Sequence, residues 1–228
     1  MADSERVVIV GGHGKIALMA APKLKETGYT VDSVIRNPDQ SADVEAAGAE
    51  SVVLDIEKAD VDALSEVFAG ATAVVFAAGA GGGNPERTRA VDYEAATRAM
   101  KAAQEVGAKR FVMISYATAG VDVDRIDQDS SFYVYAKAKH DADADLRETE
   151  LDFTILGPGM LTLESGTGKI AIADEDGKVD GRAVTRDEAA TSRANVAEVI
   201  RHVIASGAAT RQTVGFYDGD TPIAEAIR

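Results

Sequence analysis

Val7-Val8-Ile9-Val10-Gly11-Gly12-His13-Gly14-Lys15-Ile16-Ala17 decides how the rest of the chain is read. A short apolar run enters a glycine-rich turn, and a helix-compatible segment, Lys15 to Glu26, follows. Strand, tight turn and helix in that order can hold a dinucleotide pyrophosphate. Gly11 lets the chain turn sharply, and Gly14 lacks a Cβ, so phosphates can approach the backbone. The helix N-terminus then offers free N–H groups and the positive end of its dipole. Ala17 stands third in the pattern, where only close packing of helix on strand is needed. Gly11, Gly12, His13, Gly14, Lys15 and Ile16 are therefore the expected cofactor-binding loop. A turn whose glycines serve geometry alone is the competing reading.

Working outward, apolar runs alternate with helix-like stretches. The runs are Val7 to Val10, Thr30 to Ile35, Ser51 to Leu54, Ala73 to Ala77, Arg110 to Ile114 and Phe153 to Leu156. Between them lie helical candidates at Lys15 to Glu26, Ser41 to Ala47, Val61 to Phe68, Glu86 to Val106 and Tyr133 to Glu148. Buried runs alternating with amphipathic helices predict an α/β fold, a doubly wound parallel sheet of Rossmann type. Pro22 is expected to kink or shorten the first helix. From Gly157-Pro158-Gly159 the pattern changes. A strand at Lys169 to Ala173, an acidic turn at Asp174 to Gly181, a helix at Asn195 to Ser206 and a strand at Gln212 to Phe216 follow. This stretch, 157–228, reads as a small C-terminal lobe over the carboxyl ends of the strands, within a single domain spanning 1–228.

Composition narrows the function. The 228 residues carry a net charge of −14, which disfavours a nucleic-acid partner. No apolar run approaches the ~20 residues of a membrane span, and the acidic start Met1-Ala2-Asp3-Ser4-Glu5 does not resemble a signal peptide. The chain has no cysteine, which excludes disulfides and thiolate catalysis and suits the cytoplasm. The three histidines lack metal-ligand spacing, so no metal is expected. The expected partner is a small-molecule substrate, bound by a monomer or homodimer.

Arg36 follows the second strand, about 20 residues beyond the glycine loop, where an acid would bind the ribose 2′-hydroxyl of NAD and an arginine would accommodate the 2′-phosphate of NADP. Asp32 lies too early in the strand to serve as that acid, so NADP is favoured over NAD. Asp55-Ile56 closes the third strand, where a carboxylate can reach the adenine amino group or start a turn. Ala77-Ala78-Gly79-Ala80 closes the fourth with small residues that admit the cofactor, and Gly81-Gly82-Gly83-Asn84 extends it as a loop.

The fifth strand ends at Ser115, whose hydroxyl is placed to orient a substrate oxygen. On the next helix Tyr133 and Lys137 are four apart, as are Tyr135 and Lys139, so either pair stacks on one face. A lysine ammonium beside a tyrosine lowers the phenol pKa for proton transfer.

Several segments then resemble the short-chain dehydrogenase/reductase superfamily, in its atypical NAD(P)H-binding branch often named NAD-dependent epimerase/dehydratase. They are Val91-Asp92-Tyr93-Glu94-Ala95-Ala96, Gly107-Ala108-Lys109-Arg110-Phe111-Val112-Met113-Ile114-Ser115 and Tyr133-Val134-Tyr135-Ala136-Lys137. Leu151-Asp152-Phe153-Thr154-Ile155, Ser192-Arg193-Ala194-Asn195-Val196-Ala197 and Gly219-Asp220-Thr221-Pro222-Ile223 belong with them. The resemblance covers nearly the whole chain. It implies a catalytic set of Ser115, Tyr133 and Lys137, with Lys137 and Pro158 also contacting cofactor. It further implies an oxidoreductase, or an epimerase using bound cofactor, acting on a small carbonyl or sugar-like compound. The family's Arg-Pro-Gly after the sixth strand is Gly157-Pro158-Gly159 here, and Ala17 replaces the third glycine. The missing arginine and the short C-terminal lobe keep open a non-catalytic NADP redox sensor, and a flavin reductase is a further alternative.

Overall fold

The computed structural model describes residues 5–81, 84–119, 123 and 126–228. Gly82 and Gly83 of the expected loop, residues 1–4, and Asp122 and Asp124 of the acidic stretch lie outside the described residues.

The first apolar run forms β1 (Arg6–Val10), and α1 (Lys15–Glu26) follows the glycine turn. The alternation continues through β2 (Thr30–Ile35), α2 (Ser41–Ala46), β3 (Glu50–Val53), α3 (Val61–Phe68) and β4 (Ala73–Phe76). A composite helix comes next: α4 (Pro85–Thr88), a π-helical segment (Arg89–Ala95) and α5 (Ala96–Glu105). The core is completed by β5 (Arg110–Ile114), α6 (Ser131–Arg147) and β6 (Asp152–Pro158). Pro22 does not shorten α1, which runs unbroken through it.

After β6 come β7 (Met160–Thr162), β8 (Lys169–Ala173), β9 (Ala190–Ser192), α7 (Arg193–Ser206), β10 (Gln212–Asp218), β11 (Thr221–Pro222) and α8 (Ile223–Ala226). The expected C-terminal lobe is largely absorbed into the main sheet. Among the described residues a nine-stranded sheet runs β11-β8-β10-β6-β5-β4-β1-β2-β3, and β7 pairs with β9 apart from it. From β3 to β10 the strands are parallel; β8 and β11 add antiparallel pairings. The order reverses between β1 and β4, and a crevice opens there at the carboxyl ends of the strands.

Alternate residues of each strand serve opposite faces of the sheet. Val7, Ile9, Val31, Val75 and Val112 pack against Leu24 of α1 and Val199 and Val203 of α7. Val8, Val10, Val74, Phe76 and Met113 pack against Leu64 and Phe68 of α3, Met100 of α5 and Leu146 of α6. Burial on both faces explains why these strands read as continuous apolar runs. Each such side chain contributes about 1.5–3 kcal/mol on leaving water.

Buried Arg110 locks the bottom of the sheet. Its guanidinium donates to the carbonyls of Asp152 (2.9 Å), Val203 (3.1 Å) and Ala208 (2.8 Å), joining the starts of β5 and β6 to the end of α7.

Candidate active site

The glycine turn is built by contacts that exclude side chains. Gly11 has φ +87°, and a Cβ there would lie 2.7 Å from the Ala78 backbone. A Cβ on Gly12 would lie 2.4 Å from that of Ser33. Both amides donate to the Val34 carbonyl, which fixes the loop on β2. The loop leads to the N-terminus of α1, which has no side-chain cap and no acidic residue in its first turn. Its first N–H groups therefore remain available to an anion. His13, paired with Asp43 at 2.8 Å, ties the loop to α2.

A cleft of about 400 Å³ extends from this loop across the crevice. Gly11, Gly12, His13 and Gly14 line one end, Arg36, Asp55 and Ile56 the other, and Ala77, Ala78 and Gly79 the floor. A glycine cradle and an open helix N-terminus at one end of a long cleft fit a nicotinamide dinucleotide. Lys15 and Ile16 open α1 beside the cleft rather than line it, and Pro158 is buried at the end of β6, its carbonyl accepting from the Ala117 amide at 2.9 Å. Asp32, the acid discounted as a ribose ligand, pairs with Arg6 on β1.

Beside the crevice lies a buried polar cluster. Ser115 donates to Oδ2 of Asp143 at 2.6 Å. Lys139 Nζ donates to the Ile114 carbonyl at 3.0 Å and lies 3.1 Å from Oδ1 of Asp92. Oδ2 of Asp92 in turn accepts from the Ala80 amide at 3.0 Å. One lysine thus links α6, the end of β5 and, through Asp92, the loop after β4. The π-helical segment turns Asp92 inward, a local widening of the kind often found at functional sites. Tyr135, one turn before Lys139, packs its ring 5.7 Å from those of Tyr116 and Phe132.

Burial sets the electrostatics. It pushes the Tyr135 phenol above its ordinary range, with Lys139 pulling the other way. Burial also opposes the charge on Lys139, but Asp92 beside it more than offsets this and keeps the ammonium protonated. Asp143 is pushed up to about 6 by burial, against the pull of its Ser115 hydrogen bond and the Lys139 charge.

The expected pair Tyr133 and Lys137 is not the one in this cluster. Lys137 points outward and binds Asp141 at 2.7 and 2.8 Å, and Tyr133 is half-exposed in the first turn of α6. The phase of α6 explains the correction. Ala136, Ala142 and Leu146 are buried against the sheet, and Lys139 and Asp143 share their side. A helix advances about 100° per residue, so residues two positions earlier face away. Lys137, expected to contact the cofactor, lies on the outer side of α6, and Lys139 lies on the inner side. Asp92 and Asp143 were not singled out from the sequence. Their signal was a carboxylate in phase with the buried positions of its own helix.

The departure at Gly157 also has a steric cause. A Cβ there would meet the Tyr116 carbonyl oxygen at 2.9 Å and Ala117 Cα at 3.2 Å, leaving no room for an arginine.

Comparison with known proteins places this architecture. A sequence model described as NAD(P)H-binding matches residues 11–206. The chain belongs to the NAD(P)H-binding family. Within it, a UPF0659 protein of Schizosaccharomyces pombe is 34% identical, covering 96% of this chain and 92% of the relative. Bacillus subtilis YhfK, named an uncharacterized sugar epimerase, is 30% identical and covers 98% of this chain and 99% of its own. A solved Bacillus halodurans structure, provisionally named an NAD-dependent epimerase/dehydratase, superposes with a TM-score of 0.83 at 32% identity, over 97% of both chains. The short-chain dehydrogenase/reductase character read from the sequence segments is thereby shown, in its atypical branch.

No helix among the described residues is long and apolar enough to cross a membrane, and no cluster of metal-ligating side chains occurs among them.

Proposed function

We propose that this protein is an NADP(H)-dependent oxidoreductase acting on a small carbonyl or sugar-like compound, with Tyr135, Lys139 and Ser115 as its reactive group. The observation that carries the reading is Lys139, one turn beyond Tyr135 and buried between Asp92 and the carbonyl of Ile114, the neighbour of Ser115. A buried lysine charge is costly unless it is paired and hydrogen-bonded, as Lys139 is by Asp92 and the Ile114 carbonyl, and charge pairs so buried beside a cleft cluster at functional sites.

A reduced nicotinamide held by the Gly11–Gly14 loop and the small residues Ala77 to Gly79 would supply the hydride for a substrate carbon. Tyr135, held above its ordinary pKa by burial, keeps its proton at neutral pH and can donate it to the substrate oxygen. The Lys139 ammonium favours the phenolate left behind. Ser115 donates its hydroxyl hydrogen bond to Asp143, which leaves only its oxygen lone pairs to accept from other groups. Protonation of Asp143 frees that hydroxyl to donate to the substrate oxygen.

NADP is preferred over NAD in this reading because Arg36 lines the adenosine end of the cleft and Asp32 is engaged by Arg6. Equal affinities of the wild-type protein for NADPH and NADH would overturn that preference. The absent arginine at Gly157, which favoured a non-catalytic sensor, is accounted for by the close approach of the Tyr116–Ala117 backbone. The epimerase reading is favoured by the names of two relatives.

Incubation with a panel of small carbonyl compounds and sugars tests the proposal. Net loss of NADPH absorbance identifies a reductase, whereas an isomerised substrate with cofactor unchanged identifies an epimerase. In either case Tyr135→Phe lowers turnover roughly 10²–10⁴-fold while Tyr133→Phe leaves it near wild type. A dead Tyr133→Phe beside an active Tyr135→Phe would reverse the assignment.

A further inference from the structure

At the adenosine end of the cleft, two arginines grip one carboxylate oxygen. Arg36 Nη1 and Arg87 Nε each lie 2.8 Å from Oε1 of Glu57. The three residues come from different places: the end of β2, the loop after β3 and the helix after β4. Each is positioned by its own contacts. Asn84 caps α4 by accepting from the Arg87 amide at 3.0 Å, and Arg87 Nη1 donates to the Ala80 carbonyl at 3.2 Å. Arg98 donates to the Ile56 carbonyl at 2.9 Å and so holds the backbone that presents Glu57. All three side chains line the cleft, Arg36 about half exposed and Glu57 a quarter exposed.

Two guanidinium forks, each using one nitrogen on the same carboxylate oxygen, leave the trio with one net positive charge. A phosphomonoester matches the same forks and brings more negative charge than a carboxylate. Building on the NADP(H) reading above, we propose that Arg87 is a second cation of the 2′-phosphate site and that Glu57 is a resident anion occupying it until a nucleotide 2′-phosphate takes its place. Arg36 alone was legible from position in the sequence. Arg87 lies 51 positions further on and reaches the same point only through the fold. Glu57 already accepts from both arginines, which leaves it a weak acceptor for a ribose hydroxyl. The clasp therefore disfavours NAD as well as favouring NADP.

The test is calorimetric titration of the full chain with NADPH, NADH, 2′-AMP and 5′-AMP. Melting curves check that each variant is folded. Arg87→Ala should weaken NADPH and 2′-AMP roughly ten- to hundredfold, with NADH and 5′-AMP unchanged. Arg87→Lys keeps the charge without the fork and should fall between. Glu57→Gln should tighten NADPH roughly two- to fivefold, the scale of an exposed ion pair, without improving NADH. Equal losses of NADPH and NADH in Arg87→Ala would overturn the proposal, making Arg87 a general adenosine contact. So would a Glu57→Gln variant weakened toward NADH, which would make Glu57 a ribose ligand. Wild-type protein that binds neither dinucleotide would overturn the cofactor reading itself, an outcome distinct from both.

Discussion

Asp143 is one percent exposed, yet it carries a carboxyl whose Oδ1 has no hydrogen-bond partner among the described residues. Lys139, His140 and Arg147 act on it from its own helix, Ser115 faces it from the end of β5, and burial outweighs them all. Its pKa of about 6 lies above the ordinary aspartate value of about 3.9. Between these values the folded protein keeps a proton that the unfolded chain has lost, so stability falls as pH rises through that window. For a shift of this size the loss is about 3 kcal/mol, complete above pH ~6. Asp143→Asn removes the titration and retains an oxygen that can accept from Ser115. Thermal melts from acid to neutral pH should show the variant gaining on wild type as pH rises through the window. Parallel curves would rule out a raised Asp143.

At the scale of elements, α1 carries the cofactor argument and Arg110 the stability of the lower sheet. Gly14 is the N-cap of α1 with φ −63° and ψ 145°, a conformation open to any residue. A Cβ there would lie 3.0 Å from the Gly11 carbonyl oxygen, so the Gly11 peptide must give by a few tenths of an ångström to admit one. Gly14→Val crowds the open helix end, and a melting curve checks that it folds. The expected loss of NADPH affinity is at least about tenfold, the scale of one charge-assisted hydrogen bond. Unchanged affinity in a folded variant would remove the loop from the site. Arg110→Met preserves bulk but strands the carbonyls of Asp152, Val203 and Ala208. Urea unfolding should show a loss of about 2–4 kcal/mol. The π-helical segment was not legible in the sequence. Its residues read as continuous helix from Glu86 to Val106, and a local widening leaves no mark on apolar periodicity.

For the whole molecule, the decisive feature is that β10, formed by Gln212–Asp218, lies inside the sheet between β6 and β8. We read the chain as one folding unit for that reason. A chain ended at Ser206 loses β10, exposes the edge of β6 and deprives β8 of its partner. It should fail to fold cooperatively, with loss of the near-native circular dichroism and of NADPH binding. A truncated chain that melts sharply and binds cofactor would make the C-terminal part an accessory.

The sequence by itself determined the six parallel core strands, the glycine loop and Arg36, because these depend on short-range patterns: apolar runs, turn residues and fixed spacing. The boundaries of α1 and α3 and the end of β5 at Ile114, just before Ser115, follow from the same local rules. The tertiary structure alone decided the phase of α6. Two tyrosine–lysine pairs satisfy the same four-residue spacing, and only packing of Ala136, Ala142 and Leu146 on the sheet selects which faces inward. It also decided the place of the C-terminal strands and the clasp of Arg36, Glu57 and Arg87. Strand order and charge clusters join residues far apart in the chain, and long-range pairing has no local signature to read.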